Sequence, residues 1–70
     1  MDRMPVSSST VASVGYDATR RILEVEFRNG GVYQYLDVPK KVYWQFVSAK
    51  SPGTYLNGEI KDAYDTRKVT

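Results

Sequence analysis

The chain has 70 residues, with ten lysines and arginines against eight acidic residues and a formal net charge of +2 at pH 7. It contains no histidine and no cysteine, which removes the best proton-transfer group near neutral pH, the thiolate nucleophile, disulfides and the softer metal ligands. We therefore expect one small cytoplasmic domain, held by packing alone or with a partner, that is not an enzyme and needs no cofactor or metal.

Two stretches of alternating apolar and polar residues predict antiparallel strands. Residues 1–9 are polar and rich in serine, and they predict a flexible N-terminal segment. In residues 10–17, and again in residues 22–28, the side chains that face one way are mainly apolar. A period of two is typical of strands with one buried face and one wet face.

The sequence Asn29-Gly30-Gly31 predicts a hairpin turn, because asparagine and glycine supply the positive φ angles that tight turns need. The returning strand follows it directly, and two registers are open. A two-residue turn would pair Arg28 with Gly31. Tyr33 and Tyr35 would then lie on the wet face, as a platform on which RNA bases could stack.

A type I turn with a glycine bulge would instead pair Phe27 with Gly31. Both tyrosines would then join Val25 and Leu23 on the buried face. We favour this register because the polar side chains of both strands then all face water. In the other register, the glutamates of the preceding strand would stand between the tyrosines and any phosphate. The tyrosines are therefore interpreted as core residues.

After the sheet, two helices are predicted. Asp37-Val38-Pro39 ends the sheet, and Val42 and Phe46 fall on one side of the helix that follows. Ser51-Pro52-Gly53 stops this helix, and Thr54 caps a second one. The apolar stripe of the second helix consists of Leu56, Ile60, Ala63 and Tyr64.

These elements predict an α+β fold, with a three-stranded antiparallel meander followed by two short helices that pack on one face of the sheet. The single domain would span residues 10–65, and residues 66–70 would form a frayed tail. No apolar run approaches the roughly 20 residues that cross a bilayer, so no membrane association is expected.

Several short patterns occur together and in order along most of the chain. They are Val6-x-Ser8-Ser9, Val14-Gly15-Tyr16-Asp17, Phe27-x-x-Gly30-x-x-Tyr33-x-Tyr35, Val38-Pro39-x-x-Val42-Tyr43, Phe46-x-x-Ala49-x-Ser51-x-Gly53 and Tyr55-Leu56-Asn57-x-x-Ile60. Together they resemble the KTSC domain, a family named for the C-terminal domain of some lysyl-tRNA synthetases. The family also occurs as small bacterial or phage proteins, and its mark is a central YxY.

The resemblance implies a non-enzymatic binding module, and the synthetase context suggests RNA, either tRNA or single-stranded, as its partner. Members often carry basic residues around the Asn-x-x-Ile segment, where this chain has Gly58 and Glu59. The alternative is a protein-interaction module, for a host or phage assembly or for self-association, with a monomer as the default state. The residues Tyr33, Tyr35, Gly30 and Asn57 belong to the family motifs, and we interpret them as structural.

The candidate binding residues lie on the predicted first helix and at the first turn. Lys40 and Lys41 precede Trp44 by four and three residues, so the three side chains are neighbours on the outer side of the helix. An exposed tryptophan between cations can stack a base or anchor a protein partner. The alternative is that Trp44 is covered by the N-terminal segment or by the corner between the two helices. Arg20 and Arg21 form a second basic pair, which could contribute to the same surface.

Overall fold

Five antiparallel strands and two helical segments make up the fold in a computed structural model that describes all 70 residues. The strands follow one another in the sheet in the order of the chain. The elements are β1 (Met4–Pro5), β2 (Val11–Asp17), β3 (Ile22–Phe27), β4 (Val32–Tyr35), α1 (Lys40–Ser48), α2 (Pro52–Tyr55), the π-helix Leu56–Ile60 that continues α2, and β5 (Thr66–Lys68). The α+β class is confirmed.

The predicted number of strands is wrong, because both ends of the chain add a strand. The segments expected to be a flexible N-terminus and a frayed tail contain β1 and β5, which pair with β2 and β4. All side chains of the two added strands are exposed. Such strands show no alternation of apolar and polar residues, and they are held mainly by backbone hydrogen bonds, so the sequence pattern does not reveal them.

The bulged register of the β3–β4 hairpin is confirmed. The backbone N–H of Phe27 donates to the carbonyl of Gly31 at 2.8 Å, and Gly30 has a φ of +97°. Two residues before Phe27 in β3, Val25 pairs with Tyr33 of β4. Tyr35 is consequently buried at 4% exposure, whereas Tyr33 is half-buried. A side chain other than glycine would be strained at position 30, because its φ is positive.

The core lies between one face of the sheet and the helices. Phe46 of α1 and Ile60 of the π-helix have no exposed surface, and they join buried side chains of the sheet in one cluster. Burial of such side chains supplies most of the driving force for folding. The sheet contributes Val11, Val14, Leu23, Val25 and Tyr35 to this cluster, and Val38 and Leu56 complete it.

The second helix begins three residues earlier than predicted, since its cap is Ser51 and not Thr54, and it ends before the last two residues of the predicted stripe. Ser51 is the residue before its first turn, and Pro52 occupies the first helical position. Proline is suited to this position because the backbone N–H that it lacks would have no acceptor within the helix. Ser51-Pro52-Gly53 thus starts this helix as well as separating it from α1. Ala63 and Tyr64 follow the helix in a turn.

The N-terminal residues cross the outer face of the sheet over Gly15. A Cβ atom at Gly15 would lie 2.6 Å from the carbonyl oxygen of Asp2. This close approach lets Arg3 reach the carboxylate of Glu24 at 3.0 Å, while Gln34 donates to the same carboxylate at 2.9 Å. Glu24 is only 8% exposed, and its two partners satisfy a charge that would be costly to bury alone.

We predict that Gly15→Ala destabilises the protein by about 1–3 kcal/mol, because the added methyl group has to displace the backbone of Asp2. Gly58→Ala is the matched control, since a Cβ atom there would meet nothing within 4 Å. The control is expected to stabilise the protein by about 0.4–1 kcal/mol, because alanine restricts the unfolded chain. Urea denaturation of both variants measures the effect. Equal stabilities for the two variants would contradict the close crossing at Gly15.

We also predict that Phe46→Ala costs about 3–5 kcal/mol, because a fully buried ring leaves a cavity in a small core. Trp44→Ala on the same helix is expected to change stability by no more than about 0.5 kcal/mol, since Trp44 is 55% exposed. Phe27→Ala should fall between the two, because Phe27 is half-buried. Thermal melting checks the order, and a Phe46→Ala variant that melts like the wild type would place the core elsewhere.

Candidate functional site

The first turn and the start of α1 meet at one end of the molecule. The backbone N–H of Val38 donates to the carbonyl of Arg21 at 2.8 Å, and the Tyr16 hydroxyl donates to the carbonyl of Val38 at 2.6 Å. Two residues after Val38, helix α1 begins with exposed Lys40 and Lys41. The structure therefore brings both predicted basic pairs to neighbouring segments, because Arg20 and Arg21 lie in the turn itself.

Three aromatic side chains form a row along this end. The ring of Tyr43 stacks on that of Tyr16, with centroids 4.9 Å apart and an interplanar angle of 12°. Trp44 comes next, with its centroid 5.4 Å from that of Tyr43. Trp44 remains 55% exposed, so the N-terminal segment does not cover it. We call Tyr16, Tyr43, Trp44 and the cations Arg20, Arg21, Lys40 and Lys41 the cationic-aromatic surface.

Arg21 in the first turn and Asp37 just before α1 have unusual backbone conformations. Their φ angles are +58° and +59°, in the left-handed region that costs most residues other than glycine roughly 1–2 kcal/mol. Their side chains form an ion pair at 3.4 Å, but both are well exposed, so the pair itself contributes little stability. The backbone hydrogen bonds at Val38 are what hold the two segments together, and strain of this kind is typical of functional sites.

A second feature is a cleft of about 470 Å³ between the sheet and the π-helix. Phe27, Tyr33, Tyr35 and Leu56 form its apolar wall, and polar residues surround the opening. We call it the tyrosine cleft. Asn57, which the sequence analysis interprets as structural, lies at its edge with an exposed side chain that makes no hydrogen bond within the protein. The motif residues Tyr33, Tyr35 and Asn57 are thus brought together.

A smaller cleft of about 350 Å³ lies between residues 7–10 and residues 50–54. Three of its six hydroxyl groups make hydrogen bonds within the protein. The Ser8 hydroxyl oxygen accepts from the backbone N–H groups of Thr10 and Val11, and the hydroxyls of Ser51 and Thr54 pair at 2.9 Å. These contacts are local to each segment, whereas the Arg28 guanidinium holds the N-terminal segment by donating to the carbonyls of Val6 and Ser8. Lys50 is the one ionisable residue in the lining of this cleft.

Three tyrosines have a pKa above the ordinary value, and two of them donate hydrogen bonds, Tyr16 to the carbonyl of Val38 and Tyr55 to Gln45. Burial raises the pKa of Tyr35 above its ordinary value of 10.0, and neighbouring Tyr33 adds to the rise. Burial likewise raises the pKa of Tyr16, although the Arg21 guanidinium partly offsets it, and burial raises the pKa of Tyr55. All three hydroxyls therefore stay protonated near neutral pH.

The structure contains no group of three or more acidic residues that could hold a metal ion. None of its helices has the length and apolar character that a membrane span requires.

The sequence predicts Trp44 and the four cations as candidate binding residues, and the structure adds Tyr16 and Tyr43 beside them. The available signal for Tyr43 is its place next to Trp44 in the chain. Nothing in the sequence shows that the Tyr16 hydroxyl contacts the carbonyl of Val38, just before α1.

Comparison with known proteins places the chain in a family. A family model described as the KTSC domain matches residues 7–64. The chain belongs to the KTSC domain family. The crystal structure of a KTSC domain protein from Yersinia pestis is similar to it, with a TM-score of 0.95 and 46% identity over 99% of this chain and 97% of that one.

Two further relatives are similar over most of their length. A protein of Tsukamurella paurometabola is 37% identical over 60 residues, which is 86% of this chain and 90% of the relative. An uncharacterized protein of Stutzerimonas stutzeri is 41% identical over 61 residues, or 87% of this chain and 86% of the relative. The KTSC family match over residues 7–64 includes every residue of the cationic-aromatic surface.

We predict that this KTSC domain loses stability above about pH 10, because the unfolded chain ionises its tyrosines there while the folded protein keeps Tyr16, Tyr35 and Tyr55 protonated to higher pH. The stabilisation is fully present below the unfolded pKa, and it is lost as the pH rises through the raised folded values. Urea midpoints measured across this range test the effect.

The variant Tyr35→Phe isolates the contribution of one buried hydroxyl, because it cannot ionise. Its stability should decline less steeply with alkaline pH than that of the wild type. Identical slopes for the two proteins would show that Tyr35 titrates alike in the folded and unfolded states.

Proposed function

We propose that this KTSC domain is a non-enzymatic RNA-binding module, and that RNA binds at the cationic-aromatic surface. The observation that carries the proposal is the contact between the first turn and the start of α1, through the hydrogen bond from Val38 to Arg21. It brings two basic pairs near the aromatic rings of Tyr16, Tyr43 and Trp44. Bases can stack on exposed aromatic rings, while cations hold the phosphates on either side.

The charges of the surface favour a short single-stranded segment. Arg21 is paired with Asp37, which leaves Arg20, Lys40 and Lys41 as cations with no ion-pair partner. Three phosphate contacts predict a slope of roughly −2 for the logarithm of the binding constant against the logarithm of salt concentration, at about −0.7 per contact for single strands. The net charge of +2 makes non-specific attraction weak, so stacking on Trp44 has to supply a large share of the affinity.

A protein partner at the same surface is the alternative. It is favoured by the 55% exposure of Trp44 beside Tyr43, since tryptophan and tyrosine are frequent hot spots of protein interfaces. Binding through buried aromatic rings depends little on salt, whereas binding to phosphates depends on it strongly. The salt dependence therefore separates the two partners.

The fluorescence of Trp44 tests the proposal directly, because it is the single tryptophan of the chain. We expect single-stranded RNA and tRNA, titrated at low salt, to change its emission and to shift the amide resonances of Tyr43, Trp44 and Arg21. The variant Trp44→Ala should weaken binding at least about fivefold, as expected for loss of one stacked base. Changing Lys40 and Lys41 together to alanine should reduce the magnitude of the salt slope by about 1.4.

Lys68→Ala is the matched control, because Lys68 is exposed on β5, at the edge of the sheet beyond β4. It should leave RNA affinity close to that of the wild type. Absence of any change at Trp44 with either RNA at low salt would refute the proposal. Salt-independent capture of a protein that is lost in Trp44→Ala would favour the alternative.

A further inference from the structure

We propose that the tyrosine cleft is a separate binding site for a single unstacked nucleobase, in a free nucleoside or in an unpaired nucleotide. At about 470 Å³ it is the largest cleft of the molecule, and this volume lies within the range of small-molecule sites. It joins the motif residues Tyr33 and Tyr35 of the sheet to Asn57 of the π-helix. The shape, the charge and the polar groups of the cleft each restrict what it can hold.

The apolar wall favours a flat ring. Phe27 and Tyr33 meet edge to face, with centroids 5.7 Å apart and an interplanar angle of 75°, and both are only half-buried. Tyr35 and Leu56 behind them are almost fully buried, at 4% and 3% exposure. Part of the aromatic surface is therefore left uncovered inside a concave site, where a planar ring can cover it and gain stacking and burial.

Two carboxamides face the cleft from different elements. Asn29 lies in the hairpin turn, and its side-chain oxygen accepts from the backbone N–H of Gly31 at 3.0 Å, which leaves its NH₂ group free to donate. Asn57 lies on the π-helix and makes no hydrogen bond within the protein, so it can both donate and accept. A carboxamide matches the adjacent donor and acceptor atoms on the edge of a nucleobase.

The charges at the opening favour a neutral occupant. Lys61 and Asp62 are its charged residues, and their opposite charges cancel. A site that bound a phosphate or a carboxylate would be expected to carry an excess of cations. A neutral heterocycle with donors and acceptors on its edge fits the combination of aromatic wall, amides and balanced charge.

The π-helix gives the cleft its second wall. The backbone N–H of Lys61 donates to the carbonyl of Leu56 at 2.8 Å, a bond between residues five apart that widens the helix. Leu56 and Ile60 are buried by this turn, while Asn57 between them stays exposed. Wide turns of this type are less stable than regular α-helix and are often found at functional sites. Here the turn places Asn57 at the edge of the tyrosine cleft, where it also borders the smaller cleft, while keeping its apolar residues in the core.

The cleft and the cationic-aromatic surface share no residue, so the two proposals fail or succeed independently. A nucleoside has no phosphate and makes little use of lysine and arginine. The affinity of the tyrosine cleft for nucleosides should therefore be insensitive to salt. Trp44→Ala should leave it unchanged.

The test is a titration of ¹⁵N-labelled protein with adenosine, guanosine, cytidine and uridine, followed by NMR. We expect at least one nucleoside to shift the resonances of Tyr33, Asn57 and Lys61, including the side-chain NH₂ groups of Asn29 and Asn57. The dissociation constant should be on the order of 0.1–1 mM, as expected for a ligand of this size. Raising the salt concentration should not change it.

Two variants of the π-helix form a matched pair. Asn57→Ala should weaken nucleoside binding at least about fivefold, because it removes a hydrogen-bonding group. Glu59→Ala, which changes an exposed residue of the same turn outside the cleft, should bind like the wild type. Asn57 is itself exposed, so both variants should fold, and their amide spectra check this.

Three results would overturn the proposal. The first is that no cleft resonance shifts with any of the four nucleosides at concentrations well above the expected dissociation constant. The second is that Asn57→Ala and Glu59→Ala weaken nucleoside binding equally. The third is that free phenylalanine or tyrosine binds more tightly than any nucleoside. The last result would assign the cleft to an aromatic amino acid, whose opposite charges could pair with Lys61 and Asp62.

Discussion

The positive φ of Gly30 is the constraint on which the rest of the sheet depends. It allows the bulge that pairs Phe27 with Gly31, and this pairing sets the register of the whole hairpin. A shift of one residue would move Tyr33 and Tyr35 out of the core and onto the wet face, beside the glutamates of β3. The same register places Tyr33 beside Phe27, so the aromatic wall of the tyrosine cleft also follows from one turn.

The parts of the fold that bury side chains could be predicted from the sequence. Alternation identified β2 and β3, the turn Asn29-Gly30-Gly31 identified β4, and the consistency of inward and outward side chains across the hairpin selected the correct register for Tyr33. The predictions failed where structure depends on the backbone alone. Met4–Pro5 and Thr66–Lys68 pair with their neighbours while exposing their side chains, and the wide turn at Leu56–Ile60 keeps the same buried spacing as an α-helix.

The candidate surfaces could be predicted only in part, for a related reason. Trp44 and the lysines are neighbours on one helix, so their proximity follows from helical spacing. Their proximity to Arg21 depends instead on a hydrogen bond between backbone groups that are distant in the chain. Residues of any type except proline can form such a bond, so the sequence does not indicate it. The tyrosine cleft is less predictable still, because it needs the relative placement of a turn, a strand and a helix.

The two surfaces are built in physically different ways. At the cationic-aromatic surface, Arg21 and Asp37 adopt left-handed conformations that neither residue prefers, and hydrogen bonds at Val38 hold them there. A turn held in this way keeps its cations oriented before a ligand arrives, so less conformational entropy is lost on binding. The tyrosine cleft carries no such strain at its aromatic wall, since Tyr35 and Leu56 are held by the core itself. Its rim is polar, and Asn57 and Lys61 are exposed there. A buried apolar wall with an exposed polar rim suits a site that accepts a flat ring by shape and distinguishes its edge by hydrogen bonds.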